Sequence, residues 1–208
     1  MRGALAVVGL LLLMMMASPV VGQTRSGVRG YFTYGGVSFS AVDSVEAVTG
    51  ETRAAFFGGG GHVTVWKGLF ADVGVAAYSL DGQRVFVNNG TVYPLNIPVT
   101  LKFLPVDLAV GWRLHGRVQP YGGVGMTSLG YKETGEYAQF GEDVDVRRSG
   151  VLVLAGADVT VWRTWLHAGG EVRYRSVKGI LGDSGVSAAF NEDDAGGIAY
   201  ALRISVGR

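Results

Sequence analysis

Four stretches of this chain alternate residue by residue between an apolar stripe and a stripe that mixes charge with glycine and alanine. Few folds can use both faces of such a segment. Leu69, Ala71, Val73, Val75 and Ala77 face Phe70, Asp72, Gly74, Ala76 and Tyr78. Val151, Val153, Ala155, Ala157, Val159 and Val161 face Leu152, Leu154, Gly156, Asp158 and Thr160. Leu166, Ala168, Val172 and Tyr174 face His167, Gly169, Glu171, Arg173 and Arg175, and Ile198, Tyr200, Leu202, Ile204 and Val206 face Ala199, Ala201, Arg203 and Ser205. A period of two is the signature of a β-strand, so the chain is read as all-β.

One stretch changes phase. Val99, Leu101 and Phe103 are apolar at odd positions against Thr100 and Lys102, whereas Val106, Leu108, Val110 and Trp112 are apolar at even positions against Asp107, Ala109, Gly111 and Arg113. A β-bulge at Leu104-Pro105 would restore a single apolar face, and one is expected there. Eight strands follow, at about 28–41, 54–67, 69–81, 95–113, 118–132, 146–162, 165–178 and 196–207. Their connections alternate. Trp66-Lys67-Gly68, Leu114–Arg117 and Arg163-Thr164 are short, while Val42–Arg53, Gly82–Pro94, Glu133–Asp145 and Gly179–Ala195 are long and hold most of the acidic residues. Short turns at one end and long loops at the other define an up-and-down membrane barrel.

Alternation by itself does not separate a soluble barrel, apolar inside, from a membrane barrel, apolar outside. The second stripe does. It collects Asp72, Lys102, Asp107, Arg113, Asp158, Glu171, Arg173, Arg175 and Arg203 among many glycines and alanines. A water-facing surface has no need of so much glycine. A narrow lumen does, because long side chains from one wall must meet small ones on the other. These nine residues are therefore expected to form a lumen charge network of paired carboxylates and cations, since unpaired buried charge is costly. Trp66, Trp112, Trp162 and Trp165 all stand at or near the short-turn end and are expected to form an aromatic girdle at the membrane–water interface, although only Trp112 has clear outward parity.

The N-terminus supports export. Met1-Arg2 precedes a 14-residue apolar run, Ala4–Ala17, broken by Ser18-Pro19 and followed by Val20-Val21-Gly22. This is the order of a secretory signal peptide, and the run is shorter than the ~20 residues a spanning helix needs. Residues 1–22 are read as a cleaved signal peptide, with Ala17 as the alternative cleavage point, and residues 23–208 as one barrel domain. The chain has no cysteine, which removes disulfides, thiolate metal sites and a cysteine nucleophile. Its net charge of +1 gives no basic face for nucleic acid.

Gly30-Tyr31-Phe32, the fifth-strand opening Val118-Gln119-Pro120-Tyr121-Gly122-Gly123-Val124-Gly125 and the closing alternation Ala199–Arg203 resemble the small outer-membrane β-barrel domain family, the OmpA-, OmpX- and OmpW-like eight-stranded barrels. The resemblance covers residues 28–208. It implies an eight-stranded antiparallel up-and-down transmembrane β-barrel in a bacterial outer membrane. It also implies outer-membrane lipid, the barrel-assembly machinery and periplasmic chaperones as partners, with an extracellular ligand at the loops. The chain departs from the family in ending Ser205-Val206-Gly207-Arg208 rather than on an aromatic residue, and no peptidoglycan-binding segment is expected after the barrel.

No catalytic constellation, cofactor site or metal site is expected. His62, His115 and His167 have no close metal spacing; the first and third are read as lumen filling and the second as a solvated turn residue. The residues two after each histidine are Thr64, Arg117 and Gly169, so the His-x-Ser arrangement of a lipid-modifying barrel enzyme is missing. Gly58–Gly61 has no following Lys-Ser/Thr and reads as strand glycine rather than a phosphate loop. Asn191-Glu192-Asp193-Asp194 reads as a solvated loop tip rather than a cation site. Three functions stay open: a structural or surface-interaction barrel, a small channel for ions or apolar solutes, and, more distantly, a lipid-modifying enzyme.

Overall fold

The computed structural model describes residues 27–88, 90–135, 144–182 and 185–207. The segment read as a signal peptide and the middle of the 133–145 connection lie outside the described residues. Eight antiparallel strands close into a barrel: β1 (Gly27–Phe39), β2 (Arg53–Trp66), β3 (Leu69–Asn88), β4 (Thr91–Arg113), β5 (Val118–Gly135), β6 (Val144–Trp162), β7 (Leu166–Ser176) and β8 (Gly197–Gly207). Each strand bonds to the next in sequence, and β8 bonds to β1. Closure pairs the backbone polar groups that an open sheet would leave at its edges.

The apolar stripes face outward. Val73, Val75, Leu108, Val110, Val151, Val153, Val172, Leu202 and Ile204 are exposed. On β6 the outward apolar run Val151–Val161 rises about 33 Å along the strand, or roughly 25 Å once a 40° tilt is allowed for, which is the height of a membrane barrel's apolar band.

The bulge expected at Leu104-Pro105 is not formed. Val75 pairs with Val106 and Tyr78 with Phe103 in one unbroken register, although Ala76 and Ala77 have no ladder partner on β4 opposite the proline, which has no N–H to donate. The β4–β5 register also runs straight through, from Lys102 opposite Lys132 to Asp107 opposite Thr127. Val99, Leu101, Phe103, Pro105, Asp107, Ala109 and Arg113 therefore all point inward. The barrel itself changes character at this level. Toward the turn end it is apolar outside and charged inside. Toward the loop end it is polar outside, with Ser79, Thr100 and Lys102, and apolar inside.

The loop end is more ordered than long loops suggest. Val42–Thr49 forms a helix, α1, stopped by Gly50 in the left-handed region (φ 73°), whose N–H donates to the Glu46 carbonyl. A second short helix, α2 (Gly185–Phe190), lies in the connection before β8. Residues 82–88 and 91–94 are strand, not loop: β3 and β4 continue as a two-stranded ribbon in which Phe86 pairs with Tyr93. Pro94 and Pro98 of this ribbon have no N–H to donate to a ladder.

Candidate functional site: the lumen

The lower lumen is a connected set of ion pairs. Asp107 of β4 accepts two bonds from Arg175 of β7, from Nε at 3.1 Å and Nη2 at 2.7 Å, and one from Arg173 Nη1 at 2.8 Å. Arg173 donates further through Nε to Glu171 at 2.6 Å and through Nη2 to Asp72 at 3.2 Å. The other oxygen of Glu171 takes Arg203 Nη1 at 2.7 Å and the Tyr121 hydroxyl at 2.9 Å. Nearer the turn end, Arg113 Nη1 donates to Asp158 at 2.6 Å. Arg203 is 1% exposed, Asp107 1% and Asp158 0%. Arginine suits this place because its planar fork serves several carboxylates at once.

Eight of the nine residues assigned to the lumen from sequence are thus buried and paired inside it. Lys102 is not among them. It faces outward and is exposed, because the missing bulge leaves it on the outer parity. On this parity its ammonium reaches the outer surface instead of standing among the inward-facing Leu101 and Phe103.

Several members of the network were not anticipated. The Tyr31 hydroxyl donates to Asp72 at 2.9 Å, and its ring lies 3.7 Å from the Arg203 guanidinium. Gln119 accepts from Arg29 at 2.8 Å. His62 and His167, read from the sequence as lumen filling, are buried there, His62 Nδ1 3.1 Å from Arg203 and His167 Nδ1 3.2 Å from the Thr160 hydroxyl. The inward parity of Tyr31 and Tyr121, shared with the lumen glycines, was the available signal. The glycines make room for them: a Cβ on Gly74 would stand 2.7 Å from the Tyr31 hydroxyl and 2.8 Å from Arg173.

Above the charges sits an apolar plug. The Phe103 ring stacks on Tyr78 at 5.0 Å and touches Tyr131 at 5.2 Å and Phe39 at 5.3 Å. Val45 of α1 closes over it and is 4% exposed. At the top of the charged layer a void of about 10 Å³, bordered by Tyr31, Asp107, Arg173, Arg175 and Phe56, has room for one water at most.

The acidic loop is a fastener rather than a solvated tip. The Glu192 carboxylate accepts the backbone N–H groups of Asp43 and Ser44, at 3.1 and 2.8 Å, and the Ser44 hydroxyl. It thereby caps α1 from a different loop. Asp194 accepts the N–H groups of Val177 and Gly196 at 2.7 and 2.8 Å. Among the described residues no group of acidic or histidine side chains is arranged to hold a metal.

The four tryptophans are all exposed at the short-turn end: Trp66 57%, Trp112 46%, Trp162 58% and Trp165 40%. Trp66 and Trp162 carry inward parity, but register shifts after Thr64 and Thr160 turn them out.

An apolar outer wall, full closure and internally paired charge define a membrane-spanning β-barrel. The chain matches the outer membrane protein beta-barrel domain family over residues 6–206 and belongs to that family. It is a protein of the bacterial outer membrane. It is similar in fold to Ail, the attachment invasion locus protein of Yersinia pestis, in complex with the heparin analogue sucrose octasulfate. That match has 11% identity over 88% of this chain and 99% of that one, with a TM-score of 0.55. It is also similar to the N-terminal β-barrel domain of Pseudomonas aeruginosa OprF, with 8% identity over 89% and 100% and a TM-score of 0.53. No curated protein matches it in sequence.

Proposed function

We propose that this barrel is a non-conducting surface-interaction protein: a rigid plugged cylinder that presents its loop end to the outside. The observation that carries this reading is the double seal, an ion-pair layer of buried arginines and carboxylates beneath an aromatic layer of Phe39, Tyr78, Phe103 and Tyr131. Ordered loop-end structure supports it too, because α1, capped by Glu192, offers a fixed rather than a floppy surface. Ail, of similar fold, forms a complex with a sulfated ligand, a precedent for ligand binding by a barrel of this size. A non-enzymatic role is part of the proposal: the buried histidines bond to Arg203 and Thr160, and Ser205, opposite His167 in the β7–β8 register, is fully buried in the lumen.

Planar-bilayer recording tests the seal. Refolded protein is expected to give no discrete current steps, and stable unitary steps from pure protein would end this reading. A cleft of about 450 Å³ at the loop end, lined in part by Val45, Val48, Leu95, Ile180 and Leu181, favours a second reading, capture of a small apolar solute. Saturable enhancement of an apolar fluorophore, lost on filling the cleft with Val48→Trp, is what that reading expects.

A further inference from the structure

The outer wall carries an arrangement that neither the lumen nor the loops explain. Lys102 of β4 stands directly opposite Lys132 of β5, a cross-strand placement that costs stability because like charges repel. Arg147 of β6 joins them opposite Gly130, one outward position lower on β5. Among the described residues two acids stand by them: Asp145 pairs with Lys132 at 3.5 Å, both well exposed, and Asp81 of β3, opposite Thr100 and one outward position above Lys102, accepts the Thr100 hydroxyl at 2.8 Å. Among the described residues, Lys102 and Arg147 have no ion-pair partner. Among the described residues, three cations beside two carboxylates leave a net positive patch.

Its place is informative. The next outward residue below Lys102 on β4 is Leu104, where the apolar band begins. The cations rim a depression of about 580 Å³ on the outer wall, whose apolar part includes Ala55, Phe57, Ala77 and Leu104, with side-chain-free Gly130 among the lining residues. A polar anion above and hydrocarbon below is the chemistry of a lipid whose headgroup sits at the membrane edge. Two ammonium point charges and one guanidinium fork suit phosphate oxygens.

We propose that Lys102, Lys132 and Arg147 bind the phosphorylated headgroup of an outer-leaflet glycolipid, with an acyl chain lying along Phe57 and Leu104. The lipid's phosphate offsets the Lys102–Lys132 repulsion, so the site is complete only in the membrane. A free phosphate would leave the apolar part of the depression unused.

The test titrates refolded protein in uncharged detergent micelles with lipid A carrying its phosphates, with dephosphorylated lipid A and with inorganic phosphate. Saturable binding of the phosphorylated lipid alone is expected. Lys102→Gln, Lys132→Gln and Arg147→Gln are each expected to weaken it about fivefold, whereas Arg117→Gln, in a turn at the opposite end, leaves it unchanged. Equal binding of dephosphorylated lipid A, inorganic phosphate binding as tightly as the lipid, or unchanged affinity in the triple variant would each overturn the proposal. If the triple variant does not refold, the wild-type comparison of the two lipids decides the matter.

Discussion

Asp107 shows what a buried charge needs in a lumen this narrow. It is 1% exposed and accepts three bonds from two arginines. An amide in its place keeps the shape but withdraws the charge that two guanidiniums face. Breaking one partner of a buried ion set costs several kcal/mol, because the other charges stay desolvated. Asp107→Asn is therefore expected to lower stability by about 3 kcal/mol, read as the midpoint of reversible urea unfolding in lipid vesicles followed by tryptophan fluorescence. An unshifted midpoint would mean that Arg173 and Arg175 re-pair with Asp72 and Glu171 at no cost. The carboxylates and arginines were legible in the sequence, because a charge whose strand neighbours face lipid can stand only in the lumen. Tyr31, Tyr121 and Gln119 were not, because an aromatic or amide at inward parity reads equally well as packing.

Element-scale structure turns on β4 and α1. Strand β4 reads as two half-strands of opposite phase, yet it is one regular strand. Cysteine labelling separates the two descriptions. Lys102→Cys in the folded protein is expected to react with a water-soluble maleimide, whereas Leu101→Cys, at a position 5% exposed, is expected to be protected until unfolding. The opposite pattern would restore the bulge. Helix α1 is short, and helices of eight residues are marginal alone. Its hold comes from Val45 in the plug and from Glu192 at its N-terminus. Glu192→Ala is expected to cost about 1 kcal/mol and to raise amide hydrogen exchange over residues 42–49 while leaving the β7 amides as protected as before. Exchange rising equally in β7 would show that the cap supports the whole barrel. No helix was anticipated in this connection, since its cap is supplied by a residue about 150 positions away along the chain.

At the scale of the whole molecule the chain is two environments stacked along one cylinder. Lipid around the turn-end part selects apolar residues outside and leaves the charges to pair within. Water around the loop-end part selects Thr100 and Lys102 outside and lets Phe39, Tyr78 and Phe103 pack within. A closed barrel of this kind resists detergent without heating, so boiled and unboiled samples are expected to migrate differently on a denaturing gel; identical migration together with recovery in the periplasmic fraction would contradict membrane insertion. The signal peptide proposed over residues 1–22 makes Gln23 the first residue of the mature protein, which N-terminal sequencing of the membrane-extracted material checks.

By itself the sequence determined the all-β class, the eight strands, the three short turns and the charged filling of the lower lumen. Each of these follows from local periodicity or from the cost of placing charge in lipid, and both are written residue by residue. Only the tertiary structure decided where the polarity inverts, because an apolar side chain is equally content in lipid or in a plug, and the alternation pattern does not say which side of the wall is wet. The same ambiguity assigns Lys102 to the lumen by parity, whereas the fold sets it on the outer wall. Glu192 capping α1, and the register shifts that turn Trp66 and Trp162 outward, were likewise decided by neighbours brought together only when the barrel closes.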